Sequence, residues 1–356
     1  LGTRGFPLIQ GGVEKHCESL YTEFPAEYRF VIFRRKPYVR VTPSYPNITF
    51  IDLPSTKIKG FEAVYHSFLS TCRAVLSRPD IVHIHNIGPA LFSPLLKLCG
   101  IKVVLTYHSP NYEHKKWGWG VRTLLKWSEK IALRMSDAVI FVNKFQLEKY
   151  DERTRSKSYY IPNGIPRITP ATQQNYIREL GLTPGKYVLG VGRITPEKGF
   201  DCLEKAFAGV DTDYKLVIAG GVETESAYLD ELKSILPPEK IVFTGYVYGE
   251  KLNQLYTHAG LYVLSSYNEG FPLVLLEAMS YGLDVLVSDI PASHLVDLPA
   301  DDYFSKGDYE ELARKIERKL KYPRQQKYEL EAYDWTAIVK RLAAVYDKLN
   351  GRKQVP

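Results

Sequence analysis

Short apolar runs alternate with helix-like patterns along the whole chain. In the first half these runs predict strands at residues 30–34, 49–53, 81–85, 102–106, 138–142 and 158–161. A second series predicts strands at residues 187–191, 214–219, 241–244, 261–264 and 284–288. Buried strands separated by amphipathic helices are typical of parallel sheets that are covered by helices. The fold class that we predict is therefore α/β, with two doubly wound, Rossmann-like domains.

The segment at residues 165–185 joins the two series, is rich in proline and contains one short helical pattern. Helical patterns return at residues 309–321 and 335–349. We therefore predict three parts: an N-terminal domain at 1–165, a C-terminal domain at 166–334 and a final segment at 335–356. Ligands of doubly wound sheets bind beyond the carboxyl ends of the strands, so we expect two facing domains to share one cleft.

Composition and charge narrow the class of protein. The 356 residues are 45% hydrophobic and 24% charged, which suits a folded chain with two cores. Residues 1–165 carry 24 Lys+Arg against 13 Asp+Glu, net +11, whereas the remainder has 23 against 27, net −4. A basic first half indicates an anionic partner, such as a membrane surface or a phosphorylated acceptor. Nucleic acid is not expected as a partner, because the sequence has no zinc-ligand spacing, RNA-binding aromatic signature or arginine-rich tail.

Hydropathy and the spacing of the cysteines indicate the cellular compartment. No apolar run approaches the roughly 18 residues that span a bilayer, and no signal peptide is visible. The four cysteines are scattered without a CxxC pair, and three lie among apolar neighbours, as expected of buried thiols in a reducing compartment. We expect a cytoplasmic protein, with peripheral attachment to the inner face of the membrane as an open alternative. Residues 1–5 are expected to be the end of a first strand that begins upstream of Leu1.

The most informative motif is SSYNEGFPLVLLE at residues 265–277. Glu269 follows a predicted strand, and Glu277 stands eight positions later inside a predicted buried helix. The Gly-Phe-Pro turn between them places proline at the first helical position, where its missing N–H would be unpaired anyway. Unpaired N–H groups at such a helix start bind anions. One carboxylate beside an anion site and another along the helix suit a ligand with phosphate and hydroxyl groups, such as a sugar nucleotide.

A second motif, GVGRITPEKG at residues 190–199, follows a predicted strand and precedes a predicted helix. Its glycines allow the backbone to approach a phosphate closely, and Arg193 and Lys198 add two positive charges around the turn. A guanidinium and an ammonium at this place can neutralise a diphosphate and stabilise it as it leaves. The motif is not that of a dinucleotide site, because Thr195 replaces the third glycine, and it is not a P-loop.

Both motifs resemble known signatures. The Glu-x7-Glu segment with its Gly-Phe-Pro turn, and the string G-R-x-x-x-x-K-G, resemble the retaining nucleotide-sugar glycosyltransferases of glycosyltransferase family 4, which have the GT-B fold. The resemblance covers essentially the whole chain and implies a final helix that crosses back to the first domain. It implies a nucleoside-diphosphate sugar as co-substrate and no further cofactor. A DxD-type metal site is not evident, and the two cationic side chains make a metal unnecessary.

The resemblance also implies roles for these residues. Arg193 and Lys198 would stabilise the departing diphosphate. The backbone of the turn would help them, at Gly270, Phe271, Pro272 and Leu273. Glu277 would accept hydrogen bonds from the ribose hydroxyls, whereas Glu269 would hold the hydroxyls of the transferred sugar.

Two glycine-containing segments resemble further family sites. Gly245, Tyr246 and Val247 would contact the nucleobase, although an ordinary turn after a strand is the alternative. Gly11 and Gly12 resemble the glycine-rich loop whose amides approach the donor phosphates, although a Gly-Gly pair alone would mark only a turn. Which base is bound does not follow from these residues.

Three histidines lie near predicted strand ends. His108 resembles the histidine of the family's T-x-H segment and is expected to be exposed and to bond the donor sugar, with a structural role as the alternative. His83 and His85 alternate along one strand face and could form a metal pair, but no third ligand has a recognisable spacing. We expect His83 to be structural and His85 to line the cleft. Asn163 and Gly164 are expected to form a turn at the domain hinge.

Residues 115–134 carry six Lys/Arg, one acidic residue and three of the four tryptophans. This composition is typical of a membrane interface, with the following candidates: Lys115, Lys116, Trp117, Trp119, Arg122 and Trp127. The alternative is that the tryptophans pack internally and the charges form a solvated helix face.

These observations predict an enzyme that moves a sugar from a nucleoside diphosphate to an acceptor hydroxyl on a glycan, glycolipid or lipid-linked molecule. Retention of configuration is implied by the resemblance alone. Two rival hypotheses stay open. A sugar-nucleotide epimerase with the same architecture would need acid and base groups that the sequence does not identify, and a non-catalytic scaffold would bind sugar nucleotides without turnover.

Overall fold

The computed structural model describes residues 1–9, 11–56, 58, 61–110, 112, 118–165, 168–222 and 227–352. Lys115, Lys116 and Trp117, three of the membrane candidates, therefore lie outside the described residues. The contacts divide the chain into two compact units, one formed by Leu1–Gly164 with Glu331–Pro356 and the other by Ile165–Leu330. Among the described helices, none combines the length and the apolar character that a membrane span requires.

The first unit has two parallel sheets in its described part. The smaller sheet pairs β1 (Phe30–Arg35) with β2 (Ile48–Leu53). The larger has the order β3 (Ile81–His85), β4 (Lys102–Tyr107), β5 (Ala138–Phe141) and β6 (Ser158–Tyr160). Its helices are α1 (Gly12–Thr22), α2 (Phe61–Ser77), α3 (Ser93–Leu98), α4 (Trp119–Met135), α5 (Lys144–Leu147) and α6 (Glu152–Arg155).

Both faces of the larger sheet are covered. Along β4, Val103 and Leu105 pack into a core with α3 and α4, whereas Val104 packs on the opposite face with α1. Side chains of a strand alternate between the faces, so a strand with two buried faces reads as a continuous apolar run. This is why the apolar runs of the sequence locate the strands of this sheet.

The first residues of the chain follow the edges of two strands. The Leu1 amine donates to the His83 carbonyl at 2.7 Å, and His85 N donates to the Leu1 carbonyl at 2.9 Å. Arg35 N donates to the Arg4 carbonyl at 3.0 Å. Residues 1–4 thus make strand-like hydrogen bonds to β3 and then to β1, before the chain enters α1.

The second unit is built around one six-stranded parallel sheet. Its strands are β7 (Tyr187–Val191), β8 (Lys215–Ala219), β9 (Ile241–Gly245), β10 (Leu261–Leu264), β11 (Val285–Asp289) and β12 (Tyr303–Ser305). Its helices are α7 (Asn175–Glu179), α8 (Phe200–Ala208), α9 (Ala227–Leu232), α10 (Glu250–Thr257), α11 (Leu273–Ser280) and α12 (Tyr309–Lys321). The spatial order of the strands is β12-β11-β10-β7-β8-β9.

The fold class is as the sequence predicts, α/β with parallel, doubly wound sheets, and each predicted strand matches the observed bounds to within one residue at either end. The edge strand β12 was missed, because Tyr303–Ser305 is three residues long and carries no apolar run. The prediction for the cysteines was wrong in part. Cys17 and Cys202 are buried, but Cys72 is half-buried and Cys99 is exposed.

The final helix, α13 (Trp335–Asn350), belongs to the first unit. Asp334 caps it by accepting a hydrogen bond from Thr336 N at 2.8 Å. Its buried face includes Trp335 and packs in the same core as α1. Gly164 lies against the Trp335 ring, and a Cβ on this glycine would be 2.5 Å from Cδ2 of the indole. Asn163 and Gly164 were predicted to form a turn, but the structure has neither a turn nor a bend at these two residues. Gly164 is instead a packing site for the final helix.

Gly164→Ala is expected to lower the free energy of unfolding by about 1–3 kcal/mol, because the added methyl group would overpack a buried indole. Urea unfolding measures the change. Gly118→Ala is the matched control, because no heavy atom of the described residues, apart from its chain neighbours, lies within 4 Å of a Cβ built on Gly118. The control is expected to stay within about 0.5 kcal/mol of the parent protein. Equal losses in the two variants would contradict the assignment of Gly164 to indole packing.

Candidate functional site

The strand order of the second unit reverses at β7. From β7 the sheet extends to β8 and β9 on one side and then to β10, β11 and β12 on the other. Loops that leave two such neighbouring strands in opposite directions open a crevice at their carboxyl ends, where doubly wound sheets bind ligands. Both sequence motifs lie at this place. Arg193 and Lys198 follow β7, and Glu269 follows β10.

Lys198 and Glu269 form an ion pair at this reversal point. The Lys198 Nζ lies 2.6 Å from the Glu269 Oε1, and Ser266 donates its hydroxyl to the same oxygen at 2.7 Å. The two charged side chains are 18% and 10% exposed, so water screens their attraction less than on an open surface. Loss of either partner would leave the other charge partly buried without its counter-ion. The structure thus joins two residues to which the resemblance gives separate tasks.

The loops after β7 and β10 also touch through their backbones. Gly199 has a φ of +62°, and a Cβ there would lie 2.1 Å from the Ser265 carbonyl oxygen. Ser265 donates its hydroxyl to the Lys198 carbonyl at 3.0 Å, and Tyr267 N donates to the Glu197 carbonyl at 2.8 Å. A side chain at position 199 would be strained and would push the two loops apart. This glycine therefore sets the distance at which Lys198 meets its partner.

Gly220, at the end of β8, is a site residue that sequence reasoning missed. A Cβ at this position would lie 1.7 Å from the Gly192 carbonyl oxygen, and Ile194 N donates to the Gly221 carbonyl at 3.1 Å. The loop that carries Arg193 is therefore packed on the backbone that follows β8. The signal in the sequence was the Gly-Gly pair directly after a predicted strand.

Glu277 lies on α11, one turn inside the helix, as predicted. It is half-buried and accepts a hydrogen bond from the Tyr256 hydroxyl at 3.0 Å. Pro272 does not occupy the first helical position, because α11 begins at Leu273 and Pro272 precedes it as the N-cap. Leu273 N donates to the Phe271 carbonyl at 3.0 Å, so this amide is already used within the turn. The prediction that the amides of this helix start are unpaired is therefore wrong for Leu273.

Gly245, Tyr246 and Val247 lie where β9 ends, at the edge of the sheet and two strands away from β7. Gly245 has a φ of +67° and open space around its Cβ position. Tyr246 is 47% exposed, and its ring centroid lies 5.8 Å from that of Tyr248. Two exposed aromatic rings at a strand end provide an apolar surface on which a flat ring can stack. The structure therefore places these residues in the second unit, at the carboxyl end of its edge strand.

The remaining predicted residues belong to the first unit. Gly11 is the N-cap of α1, with a φ of +151°, and a Cβ on it would lie 2.0 Å from the Glu14 Oε2. Glu14 in turn accepts a hydrogen bond from Arg4 N at 3.0 Å. Among the described residues, apart from its chain neighbours and the backbone of its own helix, no heavy atom lies within 4 Å of a Cβ built on Gly12. Glycine is therefore required at Gly11 by the fold itself, whereas Gly12 leaves room for a group that approaches the helix start.

His108 was predicted to be exposed, and the structure buries it to 8% exposure. Its Nε2 lies 3.1 Å from the His85 Nδ1, and the His85 Nε2 lies 2.7 Å from the Tyr21 hydroxyl. The ring of His16 on α1 stands edge-on to His108, with 4.9 Å between the centroids. Tyr21 also contacts the Nδ1 of His83 at 3.2 Å. The exposure was misjudged because α1 covers the carboxyl ends of β3 and β4, which a local pattern does not reveal.

Burial makes these imidazoles poor bases. It lowers the pKa of His16 from 6.5 to about 4, an effect that the nearby Asn163 side chain partly opposes. Burial, followed by the charges of neighbouring imidazoles, also holds the pKa values of His85 and His108 well below their usual range. Neither ring nitrogen of His16 has a well-aligned hydrogen-bond partner among the described residues. At neutral pH the cluster is therefore uncharged.

The same cluster is the one group in the described part of the chain with the geometry of a metal site. One nitrogen from each of His16, His85 and His108 lies within 4.8 Å of the others. Neutral imidazoles are the usual histidine ligands of transition metals. The hydrogen bond between His85 and His108 already engages two of the ring nitrogens, so an ion would have to displace it.

Each half of the chain matches a family model of glycosyltransferases. The model described as Glycosyltransferase Family 4 matches residues 10–167, and the model described as Glycosyl transferases group 1 matches residues 172–335. Two parallel α/β units, each matched by a glycosyltransferase model, define the class as GT-B glycosyltransferases. Within that class, the chain belongs to glycosyltransferase family 4.

Individual proteins are also similar to this chain in sequence or in structure. Sulfoquinovosyl transferase SQD2 from Arabidopsis thaliana is 27% identical over 301 residues, which cover 74% of this chain and 56% of the plant protein. Sucrose-phosphate synthase from Thermosynechococcus elongatus has a TM-score of 0.78 at 21% identity, covering 95% of this chain and 92% of its own. Anabaena Alr3699/HepE, solved in complex with UDP, has a TM-score of 0.73 at 17% identity, covering 97% and 98%. The chain spans 30–56% of the length of the first four curated relatives that it matches.

The buried histidines predict that acid destabilises the protein. The folded-state pKa of His16, about 4, lies below its unfolded value of 6.5, so its contribution to stability is fully present above pH 6.5. That contribution is lost as the pH falls towards 4, because the unfolded chain then binds the extra proton. His16→Leu is expected to flatten the fall in unfolding free energy over this range by up to about 1.4 kcal/mol per pH unit.

Urea unfolding at a series of pH values provides the measurement. His258→Gln is the control, because this imidazole lies near the surface of the second unit, where it contacts the Gln173 carbonyl. The control variant is expected to keep the parent slope. If His16→Leu also kept the parent slope, His16 would not be the buried, neutral group described here.

Proposed function

We propose that the protein transfers a sugar from a nucleoside diphosphate to an acceptor hydroxyl and retains the anomeric configuration. The observation that carries this proposal is the Lys198–Glu269 pair at the reversal point of the second sheet. At this point Lys198, whose ammonium suits a leaving diphosphate, contacts Glu269, whose carboxylate suits sugar hydroxyls. The loop of Glu269 leads directly into the helix that carries Glu277. The similarity to HepE, solved with UDP, supports a nucleoside diphosphate as the ligand.

Donor binding would exchange one partner of Lys198 for another. Without donor, its ammonium is neutralised by Glu269. A diphosphate carries more than one negative charge, so it can compete with the single carboxylate for the ammonium. Glu269 would then keep its hydrogen bond from Ser266 and accept others from hydroxyls of the sugar. The ion pair would thus hold both side chains in position for the donor before it arrives.

In the transfer step, the bond between the anomeric carbon and the diphosphate oxygen breaks while the acceptor oxygen bonds to the same face of that carbon. The proton of the acceptor hydroxyl passes to the departing phosphate oxygen, so no side chain has to act as the base. Arg193 and Lys198 stabilise the negative charge that develops on the diphosphate. Glu277 holds the ribose, with its carboxylate oriented by Tyr256.

The reaction would need no divalent metal, because Arg193 and Lys198 supply the positive charge that a metal would otherwise provide. The acceptor would be a hydroxyl of a glycan or of a lipid-linked molecule, reached from the cytoplasmic face of a membrane. The net charge of +11 on residues 1–165 supports an anionic surface or acceptor.

Arg193→Ala and Lys198→Ala are each expected to lower the turnover of UDP-sugars by at least about a hundredfold, because each removes a preorganised charge stabiliser. Turnover is measured as UDP released at saturating donor, across a panel of UDP-sugars and acceptors. Lys327→Ala, an exposed lysine of the same unit, serves as the control and is expected to match the parent. Thermal unfolding confirms that each variant is folded. Near-parent turnover in both folded variants would overturn the assignment to the diphosphate.

The two acidic residues are expected to differ in effect. Glu277→Ala should mainly weaken binding of UDP, because this carboxylate is assigned to the ribose. Glu269→Ala should mainly reduce turnover, because this carboxylate is assigned to the moving sugar. Calorimetric titration with UDP alone, combined with single-turnover kinetics, separates the two effects. If Glu269→Ala weakened UDP binding more than Glu277→Ala, the two roles would be reversed.

A further inference from the structure

Helix α2 of the first unit is turned with its apolar face outward. Its buried residues include His66, Ser67, Ser70 and Thr71. Its exposed side chains form a stripe with helical spacing: Phe61, Tyr65, Phe68 and Leu76, which are 54%, 36%, 43% and 76% exposed. An amphipathic helix normally buries such a stripe against the core. Here the stripe faces away from it.

The polar face of α2 can be buried because its hydroxyl groups donate hydrogen bonds to backbone carbonyls of the same helix. Ser67 donates to the Ala63 carbonyl at 2.6 Å, and Thr71 donates to the Ser67 carbonyl at 2.8 Å. Hydroxyl groups paired in this way do not require water. The outward position of the apolar stripe is therefore compatible with a well-packed interior, and the stripe remains available to bind something else.

Two neighbouring helices also expose large apolar side chains. Helix α3 packs against both α2 and α4, and its Leu98 is 84% exposed. On α4, Trp119 is 85% exposed and Trp127 is 66% exposed. Of the two arrangements that the sequence left open, internal packing is therefore wrong for these two tryptophans. We call the exposed faces of α2, α3 and α4 the three-helix surface.

The charge on this surface has one sign. Helix α4 exposes Arg122, Lys126, Lys130 and Arg134. The three helices, all of whose residues are described, contain two carboxylates, and both are engaged. Glu62 pairs with Arg35 at 3.2 Å, and buried Glu129 accepts a hydrogen bond from the Tyr107 hydroxyl at 2.5 Å. The cations on α4 therefore face outward without a compensating acid on the same helices.

From this geometry we infer that the three-helix surface docks on the surface of an anionic lipid bilayer. Exposed apolar patches of this kind mark interaction sites. Tryptophan and tyrosine rings prefer the headgroup region, aliphatic side chains enter the acyl boundary, and basic residues bind anionic headgroups. A second copy of the same surface would instead bring like charges together. The helices would lie in the plane of the membrane, and none would cross it.

Docking would bring the enzyme to a lipid-linked acceptor, and this purpose rests on the proposed function. Docking itself does not depend on turnover, so the two can be tested separately. Cosedimentation with vesicles of phosphatidylcholine, with and without phosphatidylglycerol, measures docking in the absence of any donor. Anionic vesicles are expected to bind the protein at least about tenfold more than neutral ones, with binding that weakens as salt rises.

Two double variants test the two components of the surface. Leu76→Glu/Trp127→Glu removes exposed apolar anchors, and Lys126→Glu/Lys130→Glu reverses two exposed charges. Each is expected to reduce binding to anionic vesicles at least about tenfold. The matched controls lie on the second unit: Tyr322→Glu, at a side chain that is 59% exposed, and Lys233→Glu/Lys327→Glu. Both controls are expected to bind much as the parent protein does. Thermal unfolding of every variant, compared with that of the parent protein, shows that the substituted unit is folded.

Three outcomes would overturn the inference. The parent protein could fail to bind either kind of vesicle at low salt. The control variants could lose as much binding as the surface variants. Sedimentation velocity could show a dimer that only Leu76→Glu/Trp127→Glu dissociates, with no vesicle binding, which would assign the surface to a second copy. If vesicle binding failed while UDP-sugar turnover persisted, the proposed function would stand without the docking surface.

Discussion

The second unit depends on the contact between the loops that follow β7 and β10. Parallel strands bring both loops to one edge of the sheet, and the reversal of strand order lets them leave in opposite directions. Gly199 and Gly220 allow backbones to approach more closely than any Cβ would permit. The Lys198–Glu269 pair then joins the loops through opposite charges. Both charged groups keep some exposure to solvent, which on the proposed function lets the donor's diphosphate reach Lys198.

The first unit uses burial in a different way. Its histidines are kept neutral by the loss of solvent, and they hold one another and Tyr21 through hydrogen bonds at the carboxyl ends of β3 and β4. Such a cluster offers polar atoms without charge. On the proposed function, charged groups of the second unit bind the donor's diphosphate.

Helix α2 shows how tertiary structure can override a local pattern. Its apolar stripe, read alone, predicts a face that packs on the core. The core instead accepts the opposite face, because small hydroxyl side chains on that face bond to carbonyls of their own helix. An apolar surface is left beside the cations of α4. The net positive charge of residues 1–165 indicates an anionic partner but no particular surface. The outward orientation of α2 locates the surface that we propose for membrane docking.

The sequence by itself determined the fold class, most of the strands and the two motifs around Lys198 and Glu269. These features are local, because apolar runs, glycine turns and helix starts depend on neighbouring residues. It did not reveal the three-residue strand β12, the contact of Gly220 with Gly192 or the third histidine, His16, beside His85 and His108. Each of these depends on residues that are far apart in the chain and meet only when the sheets form. For the same reason only the tertiary structure decided that His108 is buried, that Lys198 pairs with Glu269, and that the apolar face of α2 points outward.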